Sequence, residues 1–304
     1  MSQQKSRRKF LRETALLVAG AAVGNSVSRP GKAIEPFNRS APPGLKLSCA
    51  AYSYRQFLAG RNKTMTLEDF VVKCAQMGLE GVELTSYYFP RPVTTEYLHR
   101  LKRHVFLLGL EVSATSVGNN FCLPPGGARD KQIAYVKQWI DYAVEFGAPC
   151  IRIFAGQVPQ GHTEEEARRW TGECIEECCA HAARRGVLLA LENHGGLTST
   201  AEGLLAIVQA VQSEWFGVNL DTGNFRTPDP YADIAKVAPY AITVHLKTEI
   251  APRGQPRQEA DFARIVNLLR QANYRGYLAL EYEAAESPLT AVPRHIETLR
   301  QLVG

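Results

Sequence analysis

The sequence has no Cys-x-x-Cys pair, and its seven cysteines (Cys49, Cys74, Cys122, Cys150, Cys174, Cys178 and Cys179) are odd in number and lack paired spacings. That argues against a disulfide framework and leaves them as buried thiols. No Gly-x-Gly-x-x-Gly turn follows the first candidate strand, and there is no Walker-type Gly-Lys-Ser/Thr loop, so the open doubly wound sheet is without its signature. No apolar run approaches the roughly 20 residues needed to span a bilayer. An excess of one charge is also missing from most of the chain. The formal total is +5, but residues 1–33 hold seven basic residues and one acid, and residues 34–304 hold 28 basic and 29 acidic, net −1. A basic footprint for nucleic acid is therefore absent from the part that folds. What is present is an ordinary globular composition, 45% hydrophobic and 21% charged over 304 residues, enough for one large domain.

The basic stretch runs Ser6-Arg7-Arg8-Lys9-Phe10-Leu11-Arg12 and is followed by an uncharged segment, 14–28, rich in Ala, Leu, Val and Gly. A charged start and a short apolar middle read as a targeting segment. The paired arginines followed by Phe-Leu resemble a twin-arginine export signal, which implies the twin-arginine translocase as a transient partner and the bacterial periplasm as the destination. Residues 1–33 are assigned to that signal and 34–44 to a Pro/Gly-rich connector.

From residue 45 to 304 the chain alternates short apolar runs with longer amphipathic ones, eight times over. The pattern predicts strands at 45–52, 81–87, 110–115, 149–155, 187–193, 216–221, 241–247 and 276–283. It predicts helices near 66–78, 94–108, 129–146, 163–185, 199–212, 231–238, 261–273 and 288–302. Gly78, Gly109, Gly147, Gly186 and Gly276 punctuate helix ends, and Thr66 and Thr163 stand at helix starts ahead of acidic residues. Cys174 and Cys178 share a helical stripe with Ala167, Trp170, Thr171, Ile175 and Ala182, a spacing that places them in a core. Eight βα units in about 260 residues predict a single-domain (β/α)8 TIM barrel, with chemistry at the C-terminal ends of its strands.

Four successive strands end in residues able to hold a metal: Glu192 in Leu191-Glu192-Asn193-His194-Gly195, Asp221 in Asn219-Leu220-Asp221-Thr222-Gly223-Asn224, His245 in Val244-His245-Leu246-Lys247, and Glu281 in Leu280-Glu281-Tyr282-Glu283. Neighbouring strands lie about 4.8 Å apart, so four inward-facing tips converge at the barrel mouth. Three carboxylates at that spacing raise one another's pKa, and a divalent cation resolves the conflict. The mix of carboxylates and imidazole favours Mn²⁺ or Mg²⁺, with Co²⁺ or Zn²⁺ as alternatives. Around this cluster Arg152, His194, Asn224, Lys247 and Arg253 are candidate substrate contacts. Arg152 reads equally as an ion pair between barrel layers, and Glu83 and Tyr52 read equally as structural.

Carrying these motifs, residues 45–303 resemble the xylose-isomerase-like barrel superfamily, in particular its sugar phosphate isomerase/epimerase branch. The resemblance implies that Glu192, Asp221, His245 and Glu281 bind one divalent metal and that Glu192 and Glu281 also form the acid/base pair. It implies a keto-sugar or polyol substrate processed through an enediolate. Asn224 departs from the ketose 3-epimerases, where a substrate-binding His is common at that place, and the loop 249–258 has no recognisable phosphate cradle. Isomerase or epimerase is the leading expectation. The alternatives are a metal-dependent lyase or dehydratase on a keto-sugar and a non-catalytic exported carbohydrate-binding barrel. An endonuclease of the apurinic-site type is disfavoured, since only His194 and His245 lie at strand tips. The sequence does not name the sugar, and a homo-oligomer is left open.

Overall fold

A computed structural model describes residues 34–304. The twin-arginine motif and the apolar run behind it lie outside the described residues. Eight parallel strands close into a barrel: β1 (Gly44–Ala50), β2 (Gly81–Thr85), β3 (Glu111–Ser116), β4 (Cys150–Ile153), β5 (Leu188–Glu192), β6 (Phe216–Asp221), β7 (Ala241–Leu246) and β8 (Arg275–Leu280). Helices α1 (Leu67–Gln76), α2 (Thr95–Leu107), α3 (Gly127–Phe146), α4 (Glu164–Arg185), α5 (Ala201–Val208), α6 (Pro230–Val237), α7 (Phe262–Gln271) and α8 (Pro288–Val303) follow the strands in turn. A two-residue antiparallel hairpin, Glu249–Ile250 with Gln258–Glu259, decorates the loop after β7.

The helices begin where local chemistry satisfies their free N–H groups. Thr66 and Asp69 form one capping box and Thr163 and Glu166 another, while Asp229 and Ser287 cap helices whose first residue is proline. Two long helices stop at glycines in the left-handed conformation, Gly147 (φ 87°) and Gly186 (φ 69°), where a side chain would strain the backbone. Helix α5 is shorter than the 199–212 expected from the sequence. It starts only after Thr200, whose hydroxyl accepts from the Gly203 N–H, and it ends at Val208.

Register divides the barrel into two environments. Ser48 pairs with Ala279, Ala279 with His245, and His245 with Asp221. Asn219 pairs with both Glu192 and Thr243, Arg152 with Ala190 and Ser116, and Glu83 with Ala50 and Ala114. Residues in register share a face, so the inside of the barrel is lined by small and polar side chains. The alternate positions, among them Leu47, Val82, Ile151, Leu189, Val218, Val244 and Leu278, are apolar and fully or nearly fully buried. The hydrophobic core thus lies between strands and helices, and the interior is left free to carry charge. The stripe on α4 packs into that core as the spacing predicted: Trp170, Cys174, Ile175, Cys178 and Ala182 are all buried, as are the other cysteines, and none forms a disulfide.

The Pro/Gly-rich segment 34–43 has no helix or strand but is tied to the bottom of the barrel. The Phe37 N–H donates to Pro239 O at 3.0 Å and the Arg39 guanidinium to Ala241 O at 2.5 Å. The Phe37 ring lies against Gly217, the second residue of β6, where an added Cβ would come within 3.1 Å of it.

Candidate metal and acid/base centre

At the opposite end of the barrel the tips of β5, β6, β7 and β8 bring Glu192, Asp221, His245 and Glu281 together, all at most 5% exposed. The local backbone is locked by amides and hydroxyls from the same motifs. Asn193 spans the two strand ends, donating to Asp221 O at 2.7 Å and accepting from the Asp221 N–H at 2.8 Å. The Thr222 hydroxyl accepts the Lys247 N–H at 2.9 Å. These bonds explain why Asn193 and Thr222 follow the two acids: they fix the strand tips relative to one another.

One ligand atom each from Glu192, Asp221 and His245 lies within 4.8 Å of the other two. Asp221 Oδ1 accepts the Gly223 N–H, leaving Oδ2 buried without a hydrogen-bond partner, and His245 Nδ1 is likewise unpartnered. Buried polar atoms without partners are costly, and two aimed into one acidic cluster are what a bound cation satisfies. Glu281 stands beside this trio, with Oε2 3.4 Å from His245 Nδ1. Glu192 Oε2 approaches the same nitrogen to 3.5 Å. The residues present therefore fit a divalent ion, held by the Glu192, Asp221 and Glu281 carboxylates and by His245 Nδ1.

Glu83 supplies a part that strand-by-strand reading does not assign. From β2, across the barrel, its carboxylate accepts the His245 Nε2–H at 2.8 Å, and the Ser116 hydroxyl donates to its other oxygen. A carboxylate on the far nitrogen fixes the imidazole's orientation and turns Nδ1 toward the site.

Two cations are embedded among the acids. Arg152 Nε lies 3.0 Å from Glu192 Oε2, and its guanidinium stacks 3.8 Å from the centroid of Phe154, which in turn packs on His194 at 4.3 Å. Arg152 is thus ion-paired with Glu192 while still facing the cavity described below. Lys247 Nζ lies 2.5 Å from Glu281 Oε2, 2.7 Å from Glu283 Oε2 and 3.5 Å from Asp221 Oδ2. Asn224 Nδ2 donates to Glu192 Oε1 at 3.3 Å and Asn219 Nδ2 to Glu192 Oε2 at 3.1 Å. Five carboxylates, those of Glu83, Glu192, Asp221, Glu281 and Glu283, thus face two permanent cations, an imbalance that a divalent ion reduces.

The imbalance marks the ionisation of each group. Burial pushes Asp221 up to about 7, with Lys247 opposing and the Glu192 and Glu281 charges adding. Burial likewise raises Glu192 despite Arg152 and His245. Glu281 goes the other way: burial disfavours its charge, but Lys247 and His245 together hold it well below the usual carboxylate range. His245 is raised, because the Glu83 and Glu281 carboxylates outweigh the burial that opposes its charge.

A cavity of about 180 Å³ opens above this centre, lined by Arg152, Glu192, His194, Asn224, Lys247 and Glu281 and walled by Tyr52, Tyr87 and Phe154. It is smaller than the roughly 300–1,000 Å³ of drug-sized ligand sites and suits one small molecule. Of the candidate substrate contacts, Arg152, His194, Asn224 and Lys247 line it. Arg253 does not: it is exposed, in the loop between the hairpin strands, with its backbone N–H committed to Thr227 O at 2.8 Å. Tyr52, left undecided by the sequence, joins the wall, edge-on to Tyr87 at 6.4 Å.

The model of the family described as xylose isomerase-like TIM barrel matches residues 71–302. No curated protein matches the sequence. Among solved structures the chain is similar to a D-psicose 3-epimerase determined in the presence of D-fructose, with a TM-score of 0.70 and 15% identity, over 85% of this chain and 100% of that one. A xylose isomerase-like TIM barrel protein from Mycobacterium smegmatis in complex with magnesium gives 0.67 at 18% identity, over 85% and 96%. A 3-keto-D-glucoside 4-epimerase from E. coli gives 0.64 at 15% identity, over 85% and 99%. At these identities the likeness establishes the fold.

Proposed function

This chain belongs to the xylose isomerase-like TIM barrel family, and from that premise we propose that it is a divalent-metal-dependent isomerase or epimerase acting on a keto-sugar or an oxidised polyol. The observation that carries the reading is the position of the two glutamates. Glu192 and Glu281 come from strands on either side of β6 and β7, and each places an oxygen about 3.5 Å from the same unpartnered nitrogen of His245 (3.5 and 3.4 Å). A sugar seated beside that nitrogen would have both carboxylates within reach of its reacting carbons. That Mn²⁺ or Mg²⁺ is the ion is inferred from the oxygen-rich donor set, and the magnesium-bound relative of the same fold supports it.

When bound, the ion supplies Lewis acidity toward the substrate's carbonyl and adjacent hydroxyl. The rest belongs to the chain's own side chains. One glutamate takes the proton from the carbon beside the carbonyl, and the other holds a proton for return. Arg152, Asn219 and Asn224 fix both Glu192 oxygens, so the carboxylate does not turn away between the two steps. Return to the opposite face of the same carbon gives an epimer, and return to the neighbouring carbon gives an isomer. Tyr52, Tyr87 and Phe154 offer flat apolar surface to the C–H face of a sugar and keep bulk water from the carbanion. Asn224 donates to Glu192, so the substrate is not carried over from the D-psicose enzyme. Epimerases among the structural relatives support the class of reaction and not the particular sugar. Export through the twin-arginine route is proposed from the N-terminal motif alone.

The test is substitution of each glutamate in turn. Glu192→Gln and Glu281→Gln are each expected to lower turnover at saturating Mn²⁺ by about 10²–10⁴-fold, the worth of a positioned acid or base, with circular dichroism unchanged. Wild-type turnover in either variant contradicts the assignment.

A further inference from the structure

Lys247 is 6% exposed and its ammonium sits among three carboxylates, two of which, Asp221 and Glu281, are ligands in the reading above. A carboxylate oxygen that holds an ammonium at 2.5 Å is not free to hold a divalent ion in the same direction, and two cations sharing Asp221 and Glu281 repel each other. The third partner, Glu283, differs from the other two. Its side chain is 34% exposed, it lies two residues beyond Glu281 toward the mouth, and it is outside the ligand set. The ammonium therefore has a partner to stay with when it leaves the other two. Its stem is fixed from below: an added Cβ on Gly223 would come within 2.7 Å of Lys247 Cβ and Cγ, so only the outer part of the side chain is free to swing.

Resting on the reading of Glu192, Asp221, His245 and Glu281 as a metal site, we propose that Lys247 is an internal competitor for the ion. It shares Asp221 and Glu281 with the metal and retires onto Glu283 when the metal binds. The competition sets metal affinity below what the four ligands would give alone, and it delivers the ammonium to the mouth once the ion is in place. A lysine with a purely structural role would act in the reverse sense, since its loss would loosen the ligands and weaken the metal.

Titration with Mn²⁺, following the electron paramagnetic resonance signal of the free ion, separates the two. Lys247→Met and Lys247→Gln are each expected to bind Mn²⁺ at least tenfold more tightly than wild type. Glu283→Gln, which takes away the resting partner, is expected to weaken binding several-fold, and the effect is expected to shrink when Lys247→Met is added. Equal or weaker binding in both lysine variants overturns the proposal while leaving the metal site standing. If neither lysine variant folds, unchanged or tighter binding in Glu283→Gln overturns it. A wild-type protein that binds no Mn²⁺ removes the functional reading and the competition together.

Discussion

Glu83 shows how much one carboxylate's meaning depends on closure of the barrel. In sequence it lies 162 residues from His245 and its strand neighbours are ordinary, yet in the fold it receives the imidazole's Nε2–H at 2.8 Å. Outer partners of this kind are worth about 10–100-fold in metal affinity. Glu83→Gln is therefore expected to weaken Mn²⁺ binding by that factor with little loss of fold, measured by the same titration, and an unchanged affinity would remove Glu83 from the centre. The four ligand candidates were legible because each ends an apolar run on successive strands, where adjacency follows from chain order. Glu83 and Glu283 were not, because β2 meets β7 only across the interior and because the partner of Lys247 is a matter of side-chain reach. Arg253 shows the same boundary from the other side: nothing in the residues 249–258 reveals the short hairpin in whose loop Arg253 is exposed.

Among the elements, burial of the cysteines on α4 and β4 carries a chemical consequence. Burial pushes the thiols of Cys174 and Cys179 up to about 11 and about 12 respectively, and that of Cys150, at the start of β4, up to about 12. Thiolate is the reacting form, so at pH 8 these groups stay protonated and shielded. The native protein is expected to resist alkylation by iodoacetamide at pH 8 and to take up label at these three positions once unfolded, read by mass spectrometry. Rapid native labelling of Cys174 would contradict the packing. The link between β6 and β7 is tested by Gly223→Ala. Its new methyl would meet Glu249 O at 2.6 Å and the Lys247 stem at 2.7 Å, and overpacking of that kind costs about 1–3 kcal/mol in thermal or chemical unfolding. The eight strands and eight helices of the barrel were readable because strands and helices differ in hydrophobic period, whereas the hairpin after β7 was not. The ends of the strands and helices were less legible: α5 stops at Val208 rather than near 212, where capping and local packing, and not periodicity, decide.

At the scale of the molecule the barrel keeps stability and chemistry at opposite ends. Phe37 and Arg39 close the bottom against Gly217, Pro239 and Ala241, and the acidic centre opens at the top. Phe37→Ala is expected to cost about 1–2 kcal/mol for a half-buried ring and to leave Mn²⁺ affinity as in wild type. A large change in affinity would mean that the two ends are coupled. The same separation explains the charge. The excess of basic residues sits in the first 33, while the described domain carries its functional charge as an acidic surplus inside the barrel, five carboxylates against Arg152 and Lys247. In the proposed function this surplus, neutralised by a metal, moves a proton at the carbon beside a carbonyl. Incubating the protein with a panel of keto-sugars in heavy water, with Mn²⁺ and again after chelation, tests that claim by nuclear magnetic resonance. The expected result is deuterium at the carbon adjacent to the carbonyl of at least one sugar, only when metal is present and without loss of a fragment. Exchange that persists after complete removal of metal, or none across the whole panel, would contradict it.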